Sequence, residues 1–456
     1  MSADWTSGSI GDVFELVNGF AFKSKDFLDS GVPVIKIKNV KAGQFSEHDF
    51  SYVDRHFLSS RVDKIARYDD LLISMSGNRH DGSPETWVGK VALFRKKAPY
   101  LINQRVGALR LKDEDRFDPR YMSYLLSSWD YQSLFIAIAT SSGGQANLSP
   151  KQILGATITY PEIKIQRKIA KILGALDDKI ELNRQINQTL EQMAQAIFKS
   201  WFVDFDPVHA KVQAIKDGRD PIEAAAKVIG NPALEQTGES LREIAALFPS
   251  EFEESELGLV PKGWGVSELK DICRVINGRA YKNTEFKDSG TPIVRIQNLS
   301  SGGKTVYSDL DLPIDKLIEK EDLIYAWSAT FGPHIWRGPK SIYHYHIWKL
   351  DPDTERVDKY FLYQYLSRIT ERMKNAGTGS IFTHLTKKNM ESQKILLPTA
   401  QMMVVAENIY SGIYKKITVS TEEIITLSLL RDALLPKLLS GEIRVGDVER
   451  QAEEII

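Results

Sequence analysis

The sequence predicts an α+β protein of two tandem mixed α/β modules, each followed by a long helix, with the two helices packing as an antiparallel coiled coil of pseudo-two-fold symmetry. Three observations carry this. The chain repeats itself: Asn18-Gly-Phe-Ala-Phe-Lys-Ser-Lys-Asp-Phe-Leu-Asp-Ser-Gly-Val-Pro-Val-Ile-Lys-Ile-Lys-Asn39 returns as Asn277-Gly-Arg-Ala-Tyr-Lys-Asn-Thr-Glu-Phe-Lys-Asp-Ser-Gly-Thr-Pro-Ile-Val-Arg-Ile-Gln-Asn298. Roughly half of those positions are identical, where chance would supply about one or two. Each copy holds a short apolar strand entering a polar loop, Asp70-Leu-Leu-Ile-Ser-Met-Ser-Gly77 and Asp322-Leu-Ile-Tyr-Ala-Trp-Ser-Ala329. Each ends at a proline, Pro161 or Pro398, beyond which a helical period takes over.

The first module runs over residues 1–162 and the second over 261–398. Trp5 aligns with Trp264, and Ser142-Gly-Gly-Gln-Ala-Asn-Leu-Ser149 with Thr378-Gly-Ser-Ile-Phe-Thr-His-Leu-Thr386. The first helix, 163–205, carries Ile165, Ile169, Ile172, Leu176, Lys179, Asn183, Ile186, Leu190, Met193 and Ile197 at alternating steps of four and three. That spacing is a heptad seam. Lys179 and Asn183 are polar members that weaken it and can fix its register, and Ile180 can rotate in. The second helix, 399–445, offers Ile409, Ile413, Ile417, Ile424, Leu427, Leu430, Leu434 and Leu438, a looser but one-sided series. A seam this long asks for a partner of matching length, and the other helix supplies it; packing of each helix on its own module is the plainer alternative. The connection 206–260 is charged and alanine-rich, reaches an acidic run at Glu251-Phe-Glu-Glu-Ser-Glu256, and reads as a linker with some helix.

Length suggests a role for the helices. About 35 residues at roughly 1.5 Å each make a rod on the order of 50 Å, about 15 base pairs of duplex. Antiparallel rods would set the modules at opposite ends, suited to two separated half-sites. Parallel packing would put both at one end, and the connection permits either.

Composition bounds the alternatives. The 456 residues, 42% hydrophobic and 26% charged, describe a globular chain of about two domains. A net charge of −1 argues against a protein that coats nucleic acid by charge alone. The single cysteine, Cys273, fits a reducing cytoplasm, no leader is recognisable ahead of Trp5, and no apolar run approaches the length of a membrane span.

The order of two variable modules and two helices, with Lys199-Ser-Trp-Phe-Val-Asp-Phe205 closing the first helix and Leu434-Leu-Pro-Lys-Leu-Leu-Ser-Gly-Glu-Ile443 closing the second, resembles the specificity subunit of type I restriction-modification enzymes. The resemblance spans essentially the whole chain. It implies that the modules are target-recognition domains, each reading half of a split double-stranded DNA site. It implies further that the helices space them and dock two modification subunits, which use S-adenosylmethionine to methylate adenine. Two restriction subunits would translocate and cut DNA with ATP and Mg. The chain itself would hold no cofactor and no metal, and would catalyse nothing.

Missing motifs agree with that division of labour. There is no Gly-x-x-x-x-Gly-Lys-Ser/Thr phosphate loop and no Asn/Asp-Pro-Pro-aromatic motif of amino-methyltransferases. Asp351-Pro-Asp-Thr-Glu355 reads as a turn with capping acids rather than a nuclease cluster. His344-Tyr-His346, with His334, lacks the cysteine or carboxylate that would complete a metal set.

Candidate DNA-contacting residues are polar side chains on loops that follow strands, where a rigid scaffold can present them to a groove. In the first module these are Ser74, Ser76, Asn78, Arg79, His80, Asn103, Gln104, Arg105, Gly144 and Gln145. In the second they are Arg279, Lys282, Arg295, Gln297, Asn298, Ser328, Thr330, His334, His344, His346 and Ser380. Arginine suits guanine, and asparagine or glutamine suits adenine. Lys36 and Arg295, on matched strand positions, suit phosphate. The plainer reading is solvated loop polarity, with Asn39 and Asn298 stabilising a turn, and Trp327 and Phe331 packed rather than stacked on a base. A structural or ligand-binding protein with a coiled-coil stalk remains the competing class; it would show no salt-dependent, sequence-selective DNA binding.

Overall fold

The computed structural model describes residues 5–81, 83–142, 144–230, 241–300, 304–328, 331–376 and 385–447. The chain divides into two compact units, Met1–Glu181 with Ile425–Ile456, and Leu182–Ile424. Each long helix therefore gives one half to each unit.

In the first unit, an antiparallel sheet orders Val91–Leu93, Leu71–Ser74, Val106–Leu111 and Phe14–Asn18. A second sheet holds Leu101–Ile102 parallel to Val32–Ile35, followed by Ser51–Val53 and Phe27–Leu28. Leu71 to Ser74 are buried at every position, which is why this run shows no alternation in the sequence. Thr6–Ser9 pairs with Thr157–Tyr160, so the strand after Trp5 closes on the strand before Pro161.

The second unit repeats this plan. Its sheets order Gly332–Ile335, Leu323–Ala326, Ile347–Pro352 and Cys273–Asn277, then Val306–Ser308, Thr291–Val294, Ser341–Tyr343 and Leu317–Ile318, with Thr291–Val294 and Ser341–Tyr343 parallel. Gly265–Glu268 pairs with Lys394–Leu397. Two helices of the first module, Pro119–Ser127 and Trp129–Ile138, are replaced by one, Lys359–Ala376.

The long helices are Ile163–Phe202 and Ala400–Ser440. They run antiparallel. In the first unit Arg431 pairs with Asp177 at 2.9 Å. In the second, Asn183 Nδ2 donates to Glu423 Oε2 at 2.8 Å, Asn187 Nδ2 to Thr421 Oγ1 at 3.2 Å, and Tyr414 OH to Glu191 Oε1 at 3.1 Å.

One column of the predicted seam is displaced. Ile169, Asn183 and Ile197 are buried, with Leu176 and Leu190 half-buried between them. The other column is formed by Leu173, Ile180, Asn187 and Ala194, one residue beyond Ile172, Lys179, Ile186 and Met193; Ile186 is 41% exposed. The reason is that the helix covers a module as well as its partner. Ile169, Ala170 and Leu173 join the first module's core together with Leu438 and Leu439, while Ile165 and Ile172 pack at its margin. A wider apolar face than a two-helix stripe results. On the second helix Ile409, Ile413 and Ile417 are buried, Ile424, Leu427 and Leu434 are half-buried, and Leu430 is 46% exposed.

The helix ends are built into the units. Phe198, Trp201 and Phe202 are buried, and Trp201 meets Phe248 edge-on at 5.3 Å while Phe202 meets Phe361 at 5.0 Å. The second helix stops at Gly441, whose φ of +73° lets the chain turn against the Trp5 ring. The connection contains the helices Asp206–Lys216, Pro221–Ile229 and Leu241–Leu247 and the hairpin Phe252–Ser255 with Gly258–Pro261. Val208, Ala225, Ile229, Ile244 and Phe248 belong to the second module's core, so the connection is a folded part of that unit.

Candidate nucleic-acid interface

The repeated Asn-Gly dipeptide explains the site. Gly19 lies against the turn Asn103-Gln104-Arg105 so closely that a Cβ would stand 2.0 Å from the Asn103 carbonyl oxygen. Gly278 lies in the same way against His344-Tyr345-His346, with a Cβ 2.3 Å from the His344 oxygen. Only glycine admits such an approach.

The two turns are clamped identically. In the first, Gly19 N donates to Val106 O, Phe20 N to Ile102 O, Asn103 N to Ile35 O, Gln104 N to Phe20 O, Val106 N to Asn103 O and Met75 N to Arg105 O, at 2.8 to 3.1 Å. In the second, Gly278 N donates to Ile347 O, Arg279 N to Tyr343 O, His344 N to Val294 O, Tyr345 N to Arg279 O, Ile347 N to His344 O and Trp327 N to His346 O, at 2.9 to 3.1 Å. Position 103 thus answers to 344, 104 to 345 and 105 to 346.

Around the first turn the structure gathers several predicted residues. Gln104 and Arg105 are exposed, and Arg105 Nη1 donates to Gln145 Oε1 at 2.5 Å. Gln145 lies on a hairpin, Thr140–Ser142 with Gln145–Asn147, that pairs with Ser76–Gly77. Gly144 turns it with φ +81° and open space beside it. Asn78 Nδ2 donates to Thr86 Oγ1 at 3.0 Å, Arg79 donates to the Ala139 carbonyl, and exposed His80 meets the rings of Trp87 and Trp129 at 5.0 and 5.7 Å.

The second turn is more aromatic. His344 stacks with Tyr281 at 6.3 Å, and its ring lies 5.1 Å from that of His346, which meets Trp327 at 5.0 Å. Burial, then the nearby His346 and Arg295, push the His344 imidazole down to about 4, so it is neutral at physiological pH. Burial also lowers His334. Arg279 is held by Glu285 at 2.6 Å, and Arg295 donates to the Lys304 carbonyl at 2.7 Å. Lys282 and Gln297 are exposed and Ser328 half-buried; Thr330 and Ser380 lie outside the described residues. Among the described residues no group of three potential metal ligands converges.

Other predicted residues prove to be framework. Ser74 is wholly buried and its Oγ accepts from Lys90 N at 2.9 Å; Ser76, 6% exposed, donates to Asn147 Oδ1 at 2.7 Å. Loop polarity alone could not separate them from the exposed set. Asn39 Oδ1 accepts from Lys36 N and Asn298 Oδ1 from Arg295 N, both at 2.9 Å, the turn role open to them from sequence. Lys36 Nζ donates to Ser51 Oγ at 2.7 Å and sits 4.0 Å over the Phe27 ring, and burial, then Lys38, lower its pKa. Sequence reasoning passed over Tyr345, 40% exposed at the second turn, and Trp129, 61% exposed beside His80. Extending the repeat alignment to the turns would have found Tyr345; no signal marks Trp129.

Twin modules that hold different tripeptides on the same backbone clamp, joined by paired helices, define a two-module recognition subunit. The family model described as the type I restriction modification DNA specificity domain matches residues 2–192 and 261–424. The chain belongs to that family and is a DNA specificity subunit of the type I restriction-modification class. The HindI specificity subunit of Haemophilus influenzae is 32% identical over 356 residues, 71% of this chain and 77% of that one. A putative MjaX specificity subunit of Methanocaldococcus jannaschii is 24% identical over 97% of this chain and 94% of its own. The crystal structure of a type I S subunit from M. genitalium shares the fold, with a TM-score of 0.57, 16% identity, and coverage of 96% and 97%.

Proposed function

We propose that the first module reads one half of a split duplex site through the face containing Arg105 and Gln145, and the second reads the other through the face containing His344 and His346. The paired helices dock two modification subunits, and two restriction subunits complete the assembly in the cytoplasm. S-adenosylmethionine, ATP and Mg act in those partners, which methylate adenine and cut DNA. The observation that carries this reading is the twin clamp, which presents a different polar tripeptide from the same backbone in each module. The test is a base-modification map of DNA from cells making this chain with the modification subunit encoded beside it, against cells making that subunit alone. Methylated adenine within a split asymmetric motif, present only with this chain, is expected. Its absence from a soluble, associated pair would favour a stalked ligand-binding protein.

A further inference from the structure

We infer that the clamped turn is the specificity-determining element of each module, and that in the first module Arg105, positioned by Gln145, reads a guanine. The inference rests on the DNA-reading assignment above. A specificity element needs a backbone that stays fixed while its side chains change. The turns meet that condition, since the same six main-chain hydrogen bonds hold Asn103-Gln104-Arg105 in one copy and His344-Tyr345-His346 in the other. Elsewhere in the aligned segment the copies keep their anchors, Gly19 with Gly278 and Asn39 with Asn298.

The chemistry follows from which donors remain. Arg105 spends one Nη1 hydrogen on Gln145 Oε1, at 2.5 Å. That bond fixes the plane of an exposed guanidinium and leaves further N–H groups for a ligand. Guanine presents O6 and N7 side by side in the major groove, the acceptor pair that such a fork matches. Gly144, whose added Cβ would meet no heavy atom within 4 Å, puts no side chain of its own beside Gln145. The second turn offers no such fork. Its His344 and Tyr345 suit single hydrogen bonds and apolar contact, so its half-site is read by different chemistry.

The test is the modification map of the full chain with its modification subunit, carrying Arg105→Ala, Gln145→Ala or, as a control in the other module, His346→Ala. Arg105→Ala is expected to relax a single guanine position in one half-site, lowering discrimination there roughly tenfold to a hundredfold. Gln145→Ala should relax the same position less, and His346→Ala should touch only the other half. Arg105 is exposed, so the variant should melt with the wild type. Unchanged selectivity at every position would overturn the inference while leaving the DNA-reading assignment standing. So would relaxation at a base other than guanine, or an equal loss at all sites, which marks a phosphate contact. A wild-type chain directing no methylation would overturn the assignment itself and the inference with it.

Discussion

The two clamped turns share a backbone and share no side chain at the tip. Residues that build the clamp recur in both copies: Gly19 and Gly278 admit the turn, and Asp70 and Asp322 brace the neighbouring strand. Asp70 Oδ2 accepts from Arg67 N at 2.8 Å and pairs with Arg110 at 3.0 Å; Asp322 Oδ2 accepts from Glu319 N at 2.7 Å and pairs with Lys349 at 2.7 Å. The tip, by contrast, carries a cation and amides in one module and imidazoles with a phenol in the other. The two copies therefore keep what holds the turn and differ in the side chains at its tip.

The strongest way to break this comparison is at the glycines. Gly19→Ala puts a methyl group 2.0 Å from the Asn103 oxygen, so the turn must move or the clamp must open. We expect the information of one half-site to be lost from the modification map, with destabilisation of about 1–3 kcal/mol or more. Gly278→Ala should abolish the other half-site and spare the first. If either change blurred both halves, the modules would not read independently.

The helical seam gives a control outside the turns. Ile180 is 1% exposed, and Ile180→Ala should cost about 2–5 kcal/mol in a denaturant melt. Ile186, 41% exposed, should tolerate alanine within about 0.5 kcal/mol. Equal effects would restore the heptad column expected from periodicity alone.

The paired asparagines sharpen the comparison at smaller amplitude. Asn39 is wholly buried; it accepts from Lys36 N and donates to the carbonyls of Ser46 and His48 at 3.2 and 2.9 Å. Asn298 is half-buried. Asn39→Ala should destabilise by about 1–3 kcal/mol, and Asn298→Ala by less, measured by thermal melting.

How much of this was legible follows from the kind of signal each feature leaves. The repeat exposed the module order, and the apolar runs exposed the central strands, because burial on both faces writes an unbroken hydrophobic stretch. The antiparallel helices were legible in kind and in one column of the seam, with Ile180 turning in as the sequence allowed, but not in the rest of the other column. A coiled-coil stripe assumes one partner, whereas this helix has a module to cover as well, and Leu173 and Ile180 rather than Ile172 and Lys179 turn inward. The candidate site was half legible. Choosing polar residues after strands picked out Arg105, Gln145, His344 and His346, which the structure sets at the clamped turns, but also Ser74 and Ser76, whose hydroxyls satisfy framework donors and acceptors. What separates the groups is which side of a tight backbone contact each lies on, and that depends on pairing between segments far apart in the chain.

A pH-dependent effect lies at a helix start that the two modules share. Asp118 caps Pro119–Ser127 by accepting from Tyr121 N at 2.9 Å, and Asp358 caps Lys359–Ala376 by accepting from Tyr360 N and Phe361 N, both at 2.9 Å. Burial, with the Glu407 charge also raising it, lifts the Asp358 carboxyl to about 6 despite those two donors. A carboxyl whose pKa rises on folding binds its proton more tightly in the folded chain. The stability it contributes is therefore full below about pH 4 and is lost as pH rises through about 6. Asp358→Asn keeps an acceptor for the cap and has no proton to release. Relative to wild type, the variant should gain stability between pH 4 and pH 7, on the order of 1 kcal/mol given the partial exposure of the group. Melting curves of both chains across that range decide it: parallel pH profiles would mean that the two backbone donors, and not burial, set the charge state of this cap.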